Sequence, residues 1–291
     1  MAARDGGEPQ RFVLDTDIGS DVDDLLALAV VLGSPELALA GVTTVYGDVL
    51  LRARIVRRAL AMTAGPDVPV AAGRSATRSG RDVWWAGHEG RLMPDLDEEQ
   101  VDPSLDAVGL LAASPLVVAI GPLTNLAAAV EAPEARIERA VIMGGDFGSA
   151  GTEHNIRCDV DAAVAVVGSG IGLTMIGLDQ TERVRLERAA AEAFDRAGGL
   201  GRILVAEMRQ FQEYLGRDHT VPHDPLAILS LARPDLFRIE TGTIRIEPDG
   251  PDAGRTVFDP APDGPHAVVT DVDVEESAAE IVRRVLVALE R

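Results

Sequence analysis

An α/β fold, with an open and mostly parallel sheet covered by helices on both faces, is what the sequence predicts. Three observations predict it. Short apolar runs alternate with longer amphipathic ones through the first two thirds of the chain, in the βαβα order of such folds. Most of the short runs are rich in Val, Ile and Leu without strict alternation, as strands buried on both faces read. The chain has 291 residues, 46% hydrophobic and 25% charged, enough to bury a large core without disulfide or metal staples.

Taken in order, the predicted strands are 12–14, 39–45, 68–71, 116–120, 140–143 and 173–178. Between them fall predicted helices at 23–32, 50–64, 104–113, 123–130 and 161–167. After residue 178 the pattern changes. Helices are expected near 186–197 and 200–215 and after Pro225, then a β segment at 238–246 and a closing helix at 275–289. There is no internal repeat and no linker long enough to separate domains. The expectation is therefore one domain with a helical insertion near 185–220. The run Gly168-Ser169-Gly170-Ile171-Gly172 follows a helix and precedes a strand, the reverse of a dinucleotide fingerprint, and reads as a connector.

Charge narrows the function. The balance is 27 − 47 = −20, which repels phosphate backbones and anionic membranes and suits a divalent cation. The one cysteine, Cys158, excludes an internal disulfide and a cysteine-based zinc cluster. The uncharged stretch 107–130 is broken by Ser114-Pro115 and Gly121-Pro122, so it does not read as a membrane span. Residues 1–11 lack the apolar core of a signal peptide, and the expectation is a soluble, cytoplasmic protein.

In open α/β sheets ligands bind outside the carboxyl ends of the strands. The first strand is followed by Asp15-Thr16-Asp17-Ile18-Gly19-Ser20-Asp21-Val22-Asp23-Asp24. Two carboxylates 4 Å apart repel by roughly 4 kcal/mol at an effective dielectric near 20, so a concave site needs a cation or protons between them. A solvated turn whose last Asp caps the next helix is the plainer alternative. An all-oxygen donor set suits Ca²⁺ or Mg²⁺ rather than zinc, and the spacing is not that of an EF-hand. Later come Tyr46-Gly47-Asp48, Gly121-Pro122-Leu123-Thr124-Asn125, Met143-Gly144-Gly145, Glu153-His154-Asn155 and His223-Asp224. Each follows a strand or lies in a loop that can return to the same edge.

In this order the motifs resemble those of the nucleoside hydrolases, the inosine–uridine-preferring N-ribohydrolases, from about residue 12 to residue 259. The segment Gly87-His88-Glu89-Gly90 is similar to that family's mobile loop at the active site. The resemblance implies a Ca²⁺ held by Asp17, Asp24, the Thr124 carbonyl and Asp224, with Asp21 a further candidate. It implies that Asp17 is the general base toward a calcium-bound water. Asp23, Glu153 and Asn155 would hold the ribose, with Asp48, Met143 and His88 beside them, and His223 would lie at the base as general acid. The implied reaction is hydrolysis of the N-glycosidic bond of a ribonucleoside to ribose and free base, in a homodimer or homotetramer.

The chain departs from the family pattern at four places. Ile18 replaces the usual Pro, and two extra residues precede Asp23-Asp24, which leaves the ribose role open between Asp21 and Asp23. Asp48 replaces Asn, and His154 replaces an aromatic. Two other readings compete. One is a Mg²⁺-dependent phosphohydrolase of haloacid dehalogenase type, suggested by an apolar strand ending in Asp15-Thr16-Asp17. The other is a nucleoside- or sugar-binding protein without turnover. Trp84-Trp85 could stack on a base or merely pack their loop; His219 and His266 read as surface residues.

Overall fold

The computed structural model describes residues 8–290. Its first half follows the predicted alternation: β1 (Gln10–Thr16), α1 (Asp23–Leu32), β2 (Leu37–Thr44), α2 (Val49–Met62), β3 (Val70–Ala72), α3 (Ala107–Ala112), β4 (Leu116–Ala119), α4 (Thr124–Val130) and β5 (Arg139–Met143). Then come α5 (His154–Cys158), α6 (Val160–Val167), β6 (Gly172–Ile176), α7 (Leu178–Thr181), α8 (Arg188–Ala197), α9 (Gly199–Leu215) and α10 (His223–Ala232). The chain closes with β7 (Phe237–Ile246), β8 (Thr256–Pro260), β9 (His266–Val272) and α11 (Val274–Leu289).

All nine strands form one sheet, in the order β3-β2-β1-β4-β5-β6-β9-β7-β8. The neighbours from β3 through to β9 run parallel, whereas β9-β7 and β7-β8 are antiparallel. The antiparallel end adds β8 and β9, which the sequence reading did not contain. β8 grades from buried Thr256 to exposed Pro260, and β9 mixes buried with partly exposed residues, so these short runs leave a weak apolar signal. The short helix α5 was also unread, because its five residues are set by the Glu153 cap rather than by an apolar period. The run 168–172 is a connector between α6 and β6, as expected. Among the described residues no helix is long and apolar enough to cross a membrane.

The core positions the site. Helix α1 is buried on every side, which its uniformly apolar sequence after Asp23-Asp24 requires, and it packs against α10 and α11. Each Leu or Val buried there contributes about 1.5–3 kcal/mol. Its end approaches α11 so closely that a Cβ on Gly33 would stand 1.9 Å from the Arg284 carbonyl oxygen. Only glycine fits.

Arg284 itself is fully buried. It donates to Ser34 Oγ (2.6 Å), to both oxygens of Glu36 (2.8 and 3.0 Å) and to Glu280 Oε1 (2.7 Å). Breaking a buried ion pair by removing one partner costs about 3–5 kcal/mol, because the other charge stays buried. Arg284→Met is therefore expected to lower unfolding free energy by that amount in urea titration. Hydrogen bonds from Arg283 and Arg284 hold the Glu280 carboxyl down to about 2, below its ordinary 4.5. A depressed carboxyl stabilises the fold above its unfolded value and loses that contribution as pH falls. Wild type should exceed Glu280→Gln in stability at pH 7, and the gap should close between 4.5 and about 2. A gap that persists unchanged to the acid end would refute the assignment.

Candidate active site

The strand order turns back on itself at β1, with β2 on one side and β4 on the other, and such a switch point opens a crevice at the strands' carboxyl ends. A cavity of about 970 Å³ lies there. Its floor is the loop after β1, with Asp17, Ser20, Asp21, Asp23 and Asp24. Ile120 after β4, Met143 at the end of β5, and Glu153 and Asn155 at the start of α5 form one wall. His223 and Asp224 open α10 opposite them, and Trp84, Phe211 and Tyr214 stand at the mouth.

Short local bonds shape the acidic loop. The Thr16 hydroxyl donates to Asp24 Oδ1 and accepts from the Ile18 N–H at 3.1 Å. Asp23 accepts from the Asp24 N–H at 3.1 Å and, across the fold, from the Asp224 N–H at 3.4 Å. As a result Asp23, Asp24 and Asp224, all buried, each present an oxygen within 4.8 Å of the others. Asp17 faces them at the foot of β4. A Cβ on Gly121 would stand 2.6 Å from Asp17 Oδ1, so the chain after β4 can approach this carboxylate only as glycine. Burial, and then mutual repulsion, push the carboxyls of Asp21, Asp23, Asp24 and Asp224 well up. Burial raises Asp17 as well, opposed by the charge of Arg52. Buried carboxylates so close together call for a cation, and an oxygen-only donor set fits Ca²⁺ or Mg²⁺.

Beneath the loop lies a residue the sequence reading missed. Arg52 on α2 is fully buried and makes no ion pair among the described residues. It donates to the carbonyls of Tyr46 (2.7 Å) and Ile18 (2.8 Å) and reaches Ser20 Oγ at 3.4 Å, with Trp85 stacked 5.0 Å from its guanidinium carbon. The signal was its register, since Arg52 shares the buried face of α2 with Val56, Ala59 and Leu60. Ser20 also donates to Glu89 Oε1 at 3.0 Å, and its carbonyl lies 2.8 Å from His88 Nε2. The loop around residue 88 is thus fastened to the acidic loop.

The ribose-side candidates are brought together. Glu153 caps α5, accepting from the N–H groups of Asn155 (2.8 Å), Ile156 (3.1 Å) and Gly145 (3.2 Å), yet burial still raises its carboxyl to about 7. The Asn155 amide donates to the carbonyls of Ile120 (3.1 Å) and Met143 (3.2 Å), which leaves its oxygen for a ligand. Other expectations are corrected. Asp48 is exposed and its carboxylate caps α2 through the Leu51 N–H at 3.0 Å, so it stands off the cavity wall. His88 is held by Ser20 and packs edge-on to Phe211 and Tyr214, behind the wall. Asp23, expected at the ribose, also presents an oxygen within 4.8 Å of those of Asp24 and Asp224. Asp21 lines the cavity and accepts from the Val22 N–H at 2.6 Å.

Thr124 is buried in the first turn of α4, its hydroxyl donating to Asp159 at 2.6 Å. The ring of His223 reaches the Thr181 hydroxyl at 2.7 Å through Nδ1, and burial lowers it to about 4. Near pH 7 that burial leaves the ring neutral, a form that still carries one proton to donate. Trp84 lines the cavity, and Trp85 covers Arg52. His219 lines the cavity and His266 is buried in β9, so neither is a plain surface residue. Asp15 is sealed in the sheet, accepting from Thr43 Oγ1 (2.6 Å) and Asn125 Nδ2 (2.9 Å). A phosphohydrolase using both carboxylates of Asp15-Thr16-Asp17 is therefore not supported.

The family model for inosine-uridine preferring nucleoside hydrolase matches residues 12–279. A non-specific ribonucleoside hydrolase RihC of Klebsiella pneumoniae is 35% identical, covering 93% of this chain and 97% of that protein. Uridine nucleosidase 1 of Arabidopsis thaliana is 30% identical, over 87% and 83%. Among solved structures, a purine-preferring ribonucleoside hydrolase from Gardnerella vaginalis superposes with a TM-score of 0.85 at 28% identity, covering 97% of this chain and 99% of that one. A family match over nearly the whole chain, on a fold and cavity of this kind, settles the membership: the chain belongs to the inosine–uridine-preferring nucleoside hydrolases, enzymes that cleave the N-glycosidic bond of ribonucleosides.

Proposed function

We propose that this enzyme hydrolyses ribonucleosides to ribose and free base with a bound Ca²⁺, as a cytoplasmic homodimer or homotetramer. The observation that carries the calcium reading is the buried cluster of Asp23, Asp24 and Asp224 at the sheet's switch point. Those three, with Asp17 and the Thr124 carbonyl, would hold the ion, and Asp21 stands near enough to assist through its charge. When bound, the ion lowers the pKa of a coordinated water and balances the carboxylates.

Asp17 takes a proton as the water oxygen attacks C1′. Glu153 and the Asn155 oxygen orient the ribose, with Asp23 next to its diol, and fixed orientation supplies much of the rate. The C1′–N bond breaks and its electron pair passes to the base. The Thr181 hydroxyl meets Nδ1 at 2.7 Å; in the tautomer with its proton on Nε2, the neutral His223 donates a hydrogen bond to the developing negative charge. The base then takes its proton from solvent. The relatives carry uridine, purine-preferring and non-specific names, and a cavity of about 970 Å³ fits either class of base.

The metal makes the first test. Purified enzyme should carry about one Ca²⁺ per chain by elemental analysis, since such oxygen sites favour that ion. Chelation should lower Tm, because an ion present at 100 times its Kd adds about 2.7 kcal/mol to the folded state. Asp24→Ala and Asp224→Ala should lose the ion. Active enzyme free of divalent metal would overturn the assignment.

The two neighbouring aspartates give a matched pair. Asp17→Asn should cut kcat by at least about 10²-fold, the lower range for removal of a general base. Asp15→Asn keeps an oxygen for Thr43 and Asn125 and should retain turnover. The reverse ranking would place the chemistry on the wrong carboxylate.

His223→Ala separates leaving-group from ribose chemistry. Loss of one donor to a developing charge costs about 10²–10³-fold, so inosine cleavage should slow on that scale. p-Nitrophenolate leaves as a stable anion, and p-nitrophenyl riboside hydrolysis should fall far less. Equal losses on both substrates would assign His223 to ribose or metal support instead.

A further inference from the structure

Segments that build the site meet at one buried carboxylate behind the cavity. Asp159 stands between α5, which opens on His154 and Asn155, and α6. It is fully buried and is not part of the cavity lining. Its Oδ2 accepts from the Thr124 hydroxyl at 2.6 Å and from the Arg78 N–H at 2.7 Å. Its Oδ1 accepts from the Ser79 N–H at 2.9 Å and from the Ala162 N–H at 3.3 Å. Thr124 opens α4, and its carbonyl is a proposed calcium ligand. Residues 78 and 79 begin the stretch that carries Trp84 to the mouth.

We infer that Asp159 is a positioning residue, which fixes the Thr124 turn for calcium and the mouth loop for substrate from a single point. The hold on Thr124 rests on the proposed calcium site; the hold on the loop does not. Capping α6 accounts for the Ala162 bond alone. The other bonds run to the calcium turn and to the loop, and both oxygens are shared between these duties. An asparagine could not replace this carboxylate, because in either orientation its NH₂ would face a backbone N–H.

The neighbouring contacts fit the same role. The turn that Thr124 ends lies against Asp17, since a Cβ on Gly121 would stand 3.0 Å from the Asp17 nitrogen. A shift of this turn therefore disturbs the carboxylates as well as the Thr124 carbonyl. Asn125, the next residue, accepts from the Arg74 N–H at 2.9 Å, so adjacent side chains tether the loop to the start of α4. The Arg78 guanidinium also meets Glu131 at 2.6 Å, but that pair is exposed and holds little. The buried bonds to Asp159 are the firm ones.

The test uses the calcium-loaded enzyme and two readouts. Competition with a fluorescent chelator gives calcium affinity. Acrylamide quenching of tryptophan reads the mouth loop, because Trp84 and Trp85 are the only tryptophans in the chain. Asp159→Ser keeps an oxygen for the α6 cap but is too short to hold Thr124 and the loop together. It should weaken calcium by about tenfold or more, the usual loss for an outer partner of a ligand, and raise the quenching constant. Thr124→Val removes only the hydroxyl bond, so calcium should weaken on that scale with quenching unchanged. Thr124→Ser restores the hydroxyl and should keep wild-type affinity. Wild-type affinity in Thr124→Val, or an equal loss in Thr124→Ser, would overturn the hold on calcium. Wild-type quenching in Asp159→Ser would overturn the hold on the loop. If Asp159→Ser fails to fold, Asp159→Asn reads the loop and the two Thr124 variants read the ion. A wild-type enzyme that binds no calcium would overturn the calcium site itself, and quenching would still decide the loop.

Discussion

Electrostatic repulsion among the carboxylates at the end of β1 is the constraint on which this structure turns. Asp17, Asp21, Asp23 and Asp24 leave one loop, and Asp224 arrives from α10 some two hundred residues later. Placing them in one half-enclosed space is unfavourable by several kcal/mol per close pair unless charge is balanced. Their raised carboxyls are the signature of that cost, with burial its largest part. A cation resolves it, and so couples ion binding to the integrity of the site.

The surrounding fold is arranged to hold the loop against this repulsion. Thr16 ties Asp24 to the strand, Asp23 receives the α10 backbone, and Arg52 reaches up from α2 to two carbonyls of the neighbouring turns. Arg52 is the only one of these that brings positive charge. Its guanidinium acts on both Asp17 and Asp24, so part of the balance is covalently built in. Ser20 then links this layer to Glu89 and His88, and the loop that carries Trp84 to the mouth is fastened to the acidic floor. A site needing sub-ångström precision gains from such a supporting shell more than from further contacts to substrate.

The motif residues also divide by role in a way their spacing conceals. Asp15 and Asn125, each inside a signature segment, join β1, β2 and the chain after β4, away from the cavity. Glu153 accepts from three N–H groups, and burial still raises its carboxyl to about 7.

The sequence by itself determined the parallel half of the sheet and its covering helices. Buried strands there read as continuous Val/Ile/Leu runs, and Ser-Pro and Gly-Pro breaks delimit them. It also determined the acidic loop, because five carboxylates in ten residues after a strand have few other uses. The strands β8 and β9 were not legible, since such short, unevenly buried runs carry little apolar period. Nor could the sequence divide labour among the acids. Whether Asp23 meets Asp224, or Asp48 faces solvent as a cap, depends on how distant segments converge, and no local pattern encodes that. The same holds for His223. Its proximity to Asp224 was plain in the sequence, but its neutral state comes from burial against Thr181 and the cavity wall. Only the tertiary structure decides desolvation, because the solvent a side chain loses is removed by residues far away in the chain.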